Sequence, residues 1–238
     1  MIYKMKKNLN QKLIDLIEYY NLINSNILLS NTPLKRTVNT TLNTFKGTKL
    51  QKLEKLKKSI QSIRGCELKK NAKNLVFADG NPESKIMIIG EGPGAQEDKE
   101  GLPFVGRAGQ LLNKMLEAIQ LSRKKVYISN VVNYRPPSNR KPTEIEIKRY
   151  YPFLVSHIEI INPNILLLLG STALNALIGN EEVISRARGK WMEKEIGSAK
   201  LSIIASFHPA FLMRQPAQKK LSWIDLKMVR DKIKKLKI

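Results

Sequence analysis

Three short apolar runs constrain this chain more than any other feature: "KIMIIG" (85–90), "ILLLLG" (165–170) and "LSIIASF" (201–207). Each has strand length, and none shows the polar–apolar alternation of a half-exposed strand. Such runs suit strands buried on both faces, as in a parallel sheet. "KVYISNVV" and the short "NLVF" read as further strands. Helical patterns lie between and after them: "GRAGQLLNKMLEAIQL", "PTEIEIKRYYPFLVSHIEIIN", "STALNALIG" and "LSWIDLKMVRDKIKKLKI". The alternation predicts an α/β architecture, a mainly parallel sheet covered on both faces. Ligands of such sheets bind beyond the carboxyl ends of the strands. "GEGPGAQED", "NVVNYRPPSNR" and "FHPAFLMR" all fall there.

The chain divides near residue 70, giving an extension (1–70) and a main domain (71–238). The extension holds one amphipathic helix in "LNQKLIDLIEYYNLI", a polar linker, and a second helix in "LQKLEKLKKSIQSI". In the second, Leu50, Leu53, Leu56 and Ile60 share one side and lysines the other, so it is expected to pack on the main domain. The net charge is +22, a surplus suited to a polyanion. Half of it lies in residues 1–70. A composition rich in Lys, Ile and Asn raises charge by codon bias as well, so charge alone does not establish a nucleic-acid partner. No apolar run reaches the length of a membrane span. The basic N-terminus is broken by Asp15 and Glu18, which argues against a secretory signal. Cys66 is the only cysteine, which excludes an internal disulfide and fits a cytoplasmic location.

"GEGPGAQEDKEGLPFVGRAG" carries too many glycines for packing alone. Gly90, Gly92 and Gly94 permit close approach of backbone to a ligand. Glu91, Glu97 and Asp98 make the loop acidic, which is wrong for a phosphate cradle, and no Gly-Lys-Ser/Thr follows. An acidic loop in a basic protein suggests a carboxylate that holds water or faces developing positive charge.

The ordered set "GEGPGAQED", "LPFVGRAGQLLN", "VYISNVVNYRPPSNRKPT", "ILLLLGSTAL", "SRARGKW" and "FHPAFLMRQP" resembles the family 4 uracil-DNA glycosylases, from about Asn74 to Arg230. The resemblance implies the three-layer uracil-DNA glycosylase fold, with a central, mainly parallel four-stranded sheet between helices. It implies hydrolysis of the bond between uracil N1 and deoxyribose, leaving an abasic site. A base in a duplex must leave the stack before an enzyme reaches that bond.

By this resemblance Phe104 is the aromatic floor under the flipped base. Asn130 reads the uracil edge, since an amide offers one donor face and one acceptor face. The backbone at Glu91 and Gly92 contacts uracil O2. His208 donates to the same oxygen as negative charge grows on the leaving base, and Pro209 fixes its turn. Glu97 is expected to position water or balance oxocarbenium charge, with Glu91 the alternative carboxylate. Leu212 is expected to fill the gap in the DNA and Arg214 to meet phosphate, although the family often has Leu-Leu-Arg where this chain has Leu-Met-Arg. Arg135, Arg140, Arg188 and Lys190 read as phosphate-facing. Tyr127, three residues before Asn130, is expected on the other face, and His157 in the core.

One departure is sharp. Family 4 enzymes usually hold a [4Fe–4S] cluster on four cysteines. Here Cys66 matches one of them, while Ile63, Tyr134 and Tyr150 stand at the other three positions. The expectation is no cluster and no metal, with aromatic packing of Tyr134 against Tyr150 in its place. Partners are expected to be uracil-containing DNA, single- or double-stranded, and a repair or replication protein on the N-terminal extension. The chain is expected to be monomeric. A non-hydrolysing uracil-DNA binder and a DNA-binding scaffold remain alternatives at this point.

Overall fold

The computed structural model describes residues 45–179 and 182–238. The first amphipathic pattern, near the N-terminus, lies outside them.

Six strands form one sheet: β1 (Asp79–Gly80), β2 (Ile86–Gly90), β3 (Tyr127–Asn130), β4 (Ile165–Leu169), β5 (Trp191–Ile196) and β6 (Ala199–Ser206), in the order β1-β3-β2-β4-β6-β5. The four central strands are parallel, as the buried runs predict. Two antiparallel strands flank them. "NLVF" is no ladder strand. Val76 is buried and exchanges bonds with Asn133, but the edge strand itself is Asp79–Gly80. β5 was not foreseen. It is an edge strand with three consecutive charged, exposed residues, Glu193, Lys194 and Glu195, so it lacks the apolar run of a buried strand, and it joins β6 through a two-residue Gly197-Ser198 turn.

Alternate residues of each strand feed two separate cores, because side chains point to opposite faces with period 2. Met87, Ile89, Leu166, Leu168 and Ile203 join one cluster. Helices α1 (Lys49–Gln61) and α5 (Glu144–Ile161) pack into it through Leu53, Leu56, Ile60, Tyr150, Leu154 and Ile158. Ile86, Ile88, Ile165, Leu167 and Ile204 face the other cluster. Helices α4 (Arg107–Glu117) and α9 (Lys219–Leu236) cover that side with Leu112, Leu116, Leu226 and Val229, and the short α6 (Ser171–Leu177) and α7 (Ile184–Ala187) lie between β4 and β5 in the chain. Thr143 opens α5 with a reciprocal cap. Its hydroxyl accepts from the Glu146 N–H, while the Glu146 carboxylate accepts from the Thr143 N–H.

Residue 70 is no break in this core. Helix α1 and the short α2 (Glu67–Asn71) bury Leu53, Leu56, Ile60 and Leu68 in the cluster under the sheet, because a basic amphipathic helix must cover its apolar stripe. Leu50 departs from that stripe and is exposed.

The chain leaves β2 toward β3 and later enters β4 on the opposite side of β2. That reversal opens a crevice beyond the carboxyl ends of β2 and β4, where ligands of such sheets bind.

Candidate active site

A cleft of about 520 Å³ occupies that crevice. Its walls come from the ends of β2, β3, β4 and β6. Glu91, Gly92, Glu97, Phe104, Asn130, Arg140, His208 and Arg214 all line it. Residues spread over more than 120 positions of sequence therefore converge as the motif order implies.

Gly90 ends β2 beneath the cleft. A Cβ there would stand 2.4 Å from Phe104 Cζ and 2.5 Å from Asn130 Oδ1. Only glycine lets the ring and the amide approach together. Asn130 is 3 % exposed, and its side chain has no hydrogen-bond partner among the described residues. Its amide remains available to a ligand. Tyr127 points the other way, and its hydroxyl meets His157 Nε2 at 2.8 Å. His157 stacks on Phe77 and belongs to the core, where burial pushes its pKa down to about 3.

Phe104 holds a left-handed backbone, φ 53°, a conformation that costs a non-glycine residue about 1–3 kcal/mol. Its ring stacks on the His208 imidazole with centroids 5.5 Å apart. His208 ends the β6 segment and caps α8 (Pro209–Arg214). Its Nδ1 accepts the Ala210 N–H at 3.1 Å. Burial, with Arg214 adding to it, pushes the His208 pKa down to about 4. The neutral ring then carries its proton on Nε2.

The two carboxylates differ. Glu97 opens the helix α3 (Ala95–Glu100) and accepts from three backbone N–H groups: Gly94 at 3.2 Å, Val105 at 3.0 Å and Gly106 at 2.8 Å. Gly106 caps α4, so one carboxylate serves the N-termini of two helices. Glu91 accepts from the Thr172 hydroxyl through Oε2, and its Oε1 has no protein partner among the described residues. Gly92 leaves no room for a side chain, since a Cβ would lie 2.7 Å from Val132 Cγ2.

Five expected DNA contacts stand apart from the cleft or are otherwise engaged. Leu212 is 1 % exposed and packed in the core with Leu112 and Leu226. It lies one helical turn beyond His208, on the inner face of α8, so it is no wedge in this conformation. Met213, next to it, is half-buried and belongs to neither core. Arg188 is not phosphate-facing. Its guanidinium grips Asp225 with both oxygens and the Leu221 carbonyl, and Asp225 is fully buried. Ser206 donates to the same carboxylate at 2.6 Å. Arg140 is at the mouth of the cleft, but it is paired with both oxygens of Glu146 at 2.7 and 2.8 Å. This pairing, with the Thr143 cap, pushes Glu146 down to about 2. Arg135 does not line the cleft; its Nε donates to Oδ1 of Asn139, which does. Lys190 is exposed, also outside the lining.

The residues at the family's cluster position do not suit iron. Cys66 is 5 % exposed, and its sulfur lies 3.3 Å from the Tyr150 hydroxyl. Tyr134 and Ile63 complete the patch, and burial pushes both tyrosines up. A protonated phenol is no substitute for a thiolate on a soft cluster. The expected ring contact of Tyr134 with Tyr150 is not among the aromatic pairs of the described residues. The thiol–phenol bond stands there instead. Among the described residues no group of three or more His, Cys, Asp or Glu side chains is arranged to hold a metal, and no helix is long and apolar enough to cross a membrane.

Residues 77–228 match the model of the uracil DNA glycosylase superfamily. The type-4 uracil-DNA glycosylase of Thermotoga maritima is 43 % identical over 156 residues, covering 65 % of this chain and 80 % of that protein. That of Archaeoglobus fulgidus is 42 % identical over 161 residues, covering 66 % and 81 %. That of Saccharolobus solfataricus is 38 % identical over 177 residues, covering 72 % and 82 %.

Proposed function

The chain belongs to the uracil-DNA glycosylase superfamily, and from that premise we propose that it hydrolyses the bond between uracil N1 and deoxyribose in DNA as the first step of base excision repair. The observation that carries the reading is His208, a neutral imidazole with its Nδ1 occupied and its ring beside Phe104 and Asn130 in one cleft.

The flipped uracil stacks on Phe104, and Asn130 reads its O4 and N3–H. His208 Nε2–H meets O2 as the bond breaks and charge accumulates there. A preorganised donor at a developing anion is worth about 2.7–4 kcal/mol. A neutral histidine serves this role without first losing a proton. Glu91, with one free oxygen beside the cleft, holds the attacking water or faces the positive sugar. Glu97 supports the loop, since three backbone N–H groups already occupy it. Met213 takes the place of Leu212 as the apolar group entering the DNA, with Arg214 and Lys190 on phosphates.

The chain works without an iron–sulfur cluster, a reading supported by the Cys66–Tyr150 bond and the single cysteine. A cytoplasmic location fits the same lone buried thiol. Any partner recruited by the N-terminal extension would act largely through residues outside those described.

The test is incubation of purified protein with a uracil-containing oligonucleotide in EDTA, followed by alkali. Uracil-dependent strand scission is expected. Scission no greater than in buffer, on both single and double strands, leaves only the non-hydrolysing binder or scaffold.

A further inference from the structure

Arg123 lies outside the cleft, in a 3-10 turn (Arg123–Lys125) between α4 and β3. All five of its guanidinium N–H groups have acceptors. Nε donates to Asp79 Oδ2 at 2.8 Å, and Nη2 donates to the same oxygen at 2.5 Å. The second Nη2 hydrogen goes to the Pro103 carbonyl at 2.7 Å. Nη1 donates to the Phe104 carbonyl at 2.9 Å and to Asn113 Oδ1 at 3.2 Å. Two consecutive carbonyls of the loop that carries the aromatic ring are thus held by one planar side chain, itself anchored on β1.

Phe104 needs such a hold. Its backbone is left-handed, a region that ordinary side chains avoid. Its carbonyl is pressed on Gly109, where a Cβ would come within 1.8 Å of the oxygen. Relaxation of this turn toward common backbone angles would swing the ring away from Gly90 and His208. The fork geometry of arginine, which lysine lacks, fits two carbonyls and a carboxylate at once.

We infer that Arg123, anchored by Asp79, is a positioning residue for excision: it fixes Phe104 in its strained conformation as the floor beneath the flipped base. The inference rests on Phe104 serving as that floor, which Phe104→Ala tests by itself.

The experiment is single-turnover excision of uracil from a single-stranded oligonucleotide, well below the melting temperature of each variant. It compares Phe104→Ala, Arg123→Ala, Arg123→Lys, Asp79→Asn and the Phe104→Ala/Arg123→Ala pair. Arg123→Ala is expected to slow excision about 10–100-fold, the scale of a misplaced binding group. Arg123→Lys should recover little of that, and affinity for uracil-free DNA should not change. In the Phe104→Ala background the arginine substitution should cost less than about threefold, because residues acting as a unit are not additive. If Arg123→Ala melts too low to assay, Asp79→Asn replaces it in both backgrounds with the same expected non-additivity. Full multiplication of the two effects, or a wild-type rate for Arg123→Lys, overturns the inference. A wild-type rate for Phe104→Ala overturns the floor itself, and the clamp's role in excision falls with it.

Discussion

The Ala210 amide donates to Nδ1 of His208 at 3.1 Å. This single bond fixes which nitrogen of the imidazole keeps its proton. His208→Ala is expected to slow single-turnover excision roughly 10²–10³-fold, with little change in DNA affinity. Because burial holds the ring's pKa near 4, the donor is already neutral at pH 5. The wild-type rate should show no step from His208 between pH 5 and 8. A rate that rises or falls through an ionisation near 6.5, and loses that step in His208→Ala, contradicts a neutral donor.

Helix α8 separates two neighbouring side chains, Leu212 and Met213, by burial. Leu212→Ala should behave as a core truncation and lower stability by about 2–5 kcal/mol on any substrate-free measurement. Met213→Ala should leave stability nearly unchanged and slow excision from duplex more than from single strands, where no gap opens. Denaturant melts beside excision on both substrates separate the two. The assignment fails if Met213→Ala affects both substrates equally.

Arg188 and Arg214 should differ in the same way. Removing Arg188 strands the buried Asp225 carboxylate, and Arg188→Ala is expected to cost about 3–5 kcal/mol of stability. The salt dependence of DNA binding should stay as it is. Arg214→Ala should leave stability alone and reduce the salt slope by about one. Titrations at several salt concentrations would expose an exchange of these roles.

The two histidines are the only ones in the chain, and burial lowers the pKa of each, to about 4 and about 3. The unfolded chain therefore binds more protons than the folded one below about pH 6.5. Stability should fall as pH drops from 6.5 toward 3, at up to about 1.4 kcal/mol per pH unit for each histidine. His157→Gln should flatten this fall even if it lowers stability at neutral pH. An equally steep fall in that variant would assign the acid sensitivity to carboxylates.

Purified protein should be colourless and carry no stoichiometric iron, even from anaerobic preparation. Tyr150→Phe, which removes the partner of Cys66, should cost about 0.5–1.5 kcal/mol. Four irons per chain would overturn this and demand a cluster shared between chains.

The parallel centre of the sheet was legible because strands buried on both faces leave continuous apolar runs, and Ile86–Gly90, Ile165–Leu169 and Ala199–Ser206 do so. β5 was not, because "WMEKEI" places three charged, exposed residues in a row. The signal available was the Gly197-Ser198 turn. The residues that meet in the cleft were legible through motif order. The ion pairs of charged residues outside it were not. Arg188 finds Asp225 37 positions away and Arg123 finds Asp79 44 positions away, and spacing along the chain carries no trace of such pairs. Leu212 was misplaced for a local reason. Its helical phase relative to His208 turns it inward, and composition says nothing about phase.

The edges of the sheet bear on how the molecule behaves at high concentration. β1 is two residues long, and its Asp79 is engaged by Arg123. β5 is longer, but Glu193, Lys194 and Glu195 are exposed along it. An incoming strand at one edge meets almost no ladder to extend, and at the other it must accommodate a row of charges. Neither edge of the sheet therefore offers a neighbouring molecule a template on which to add a strand.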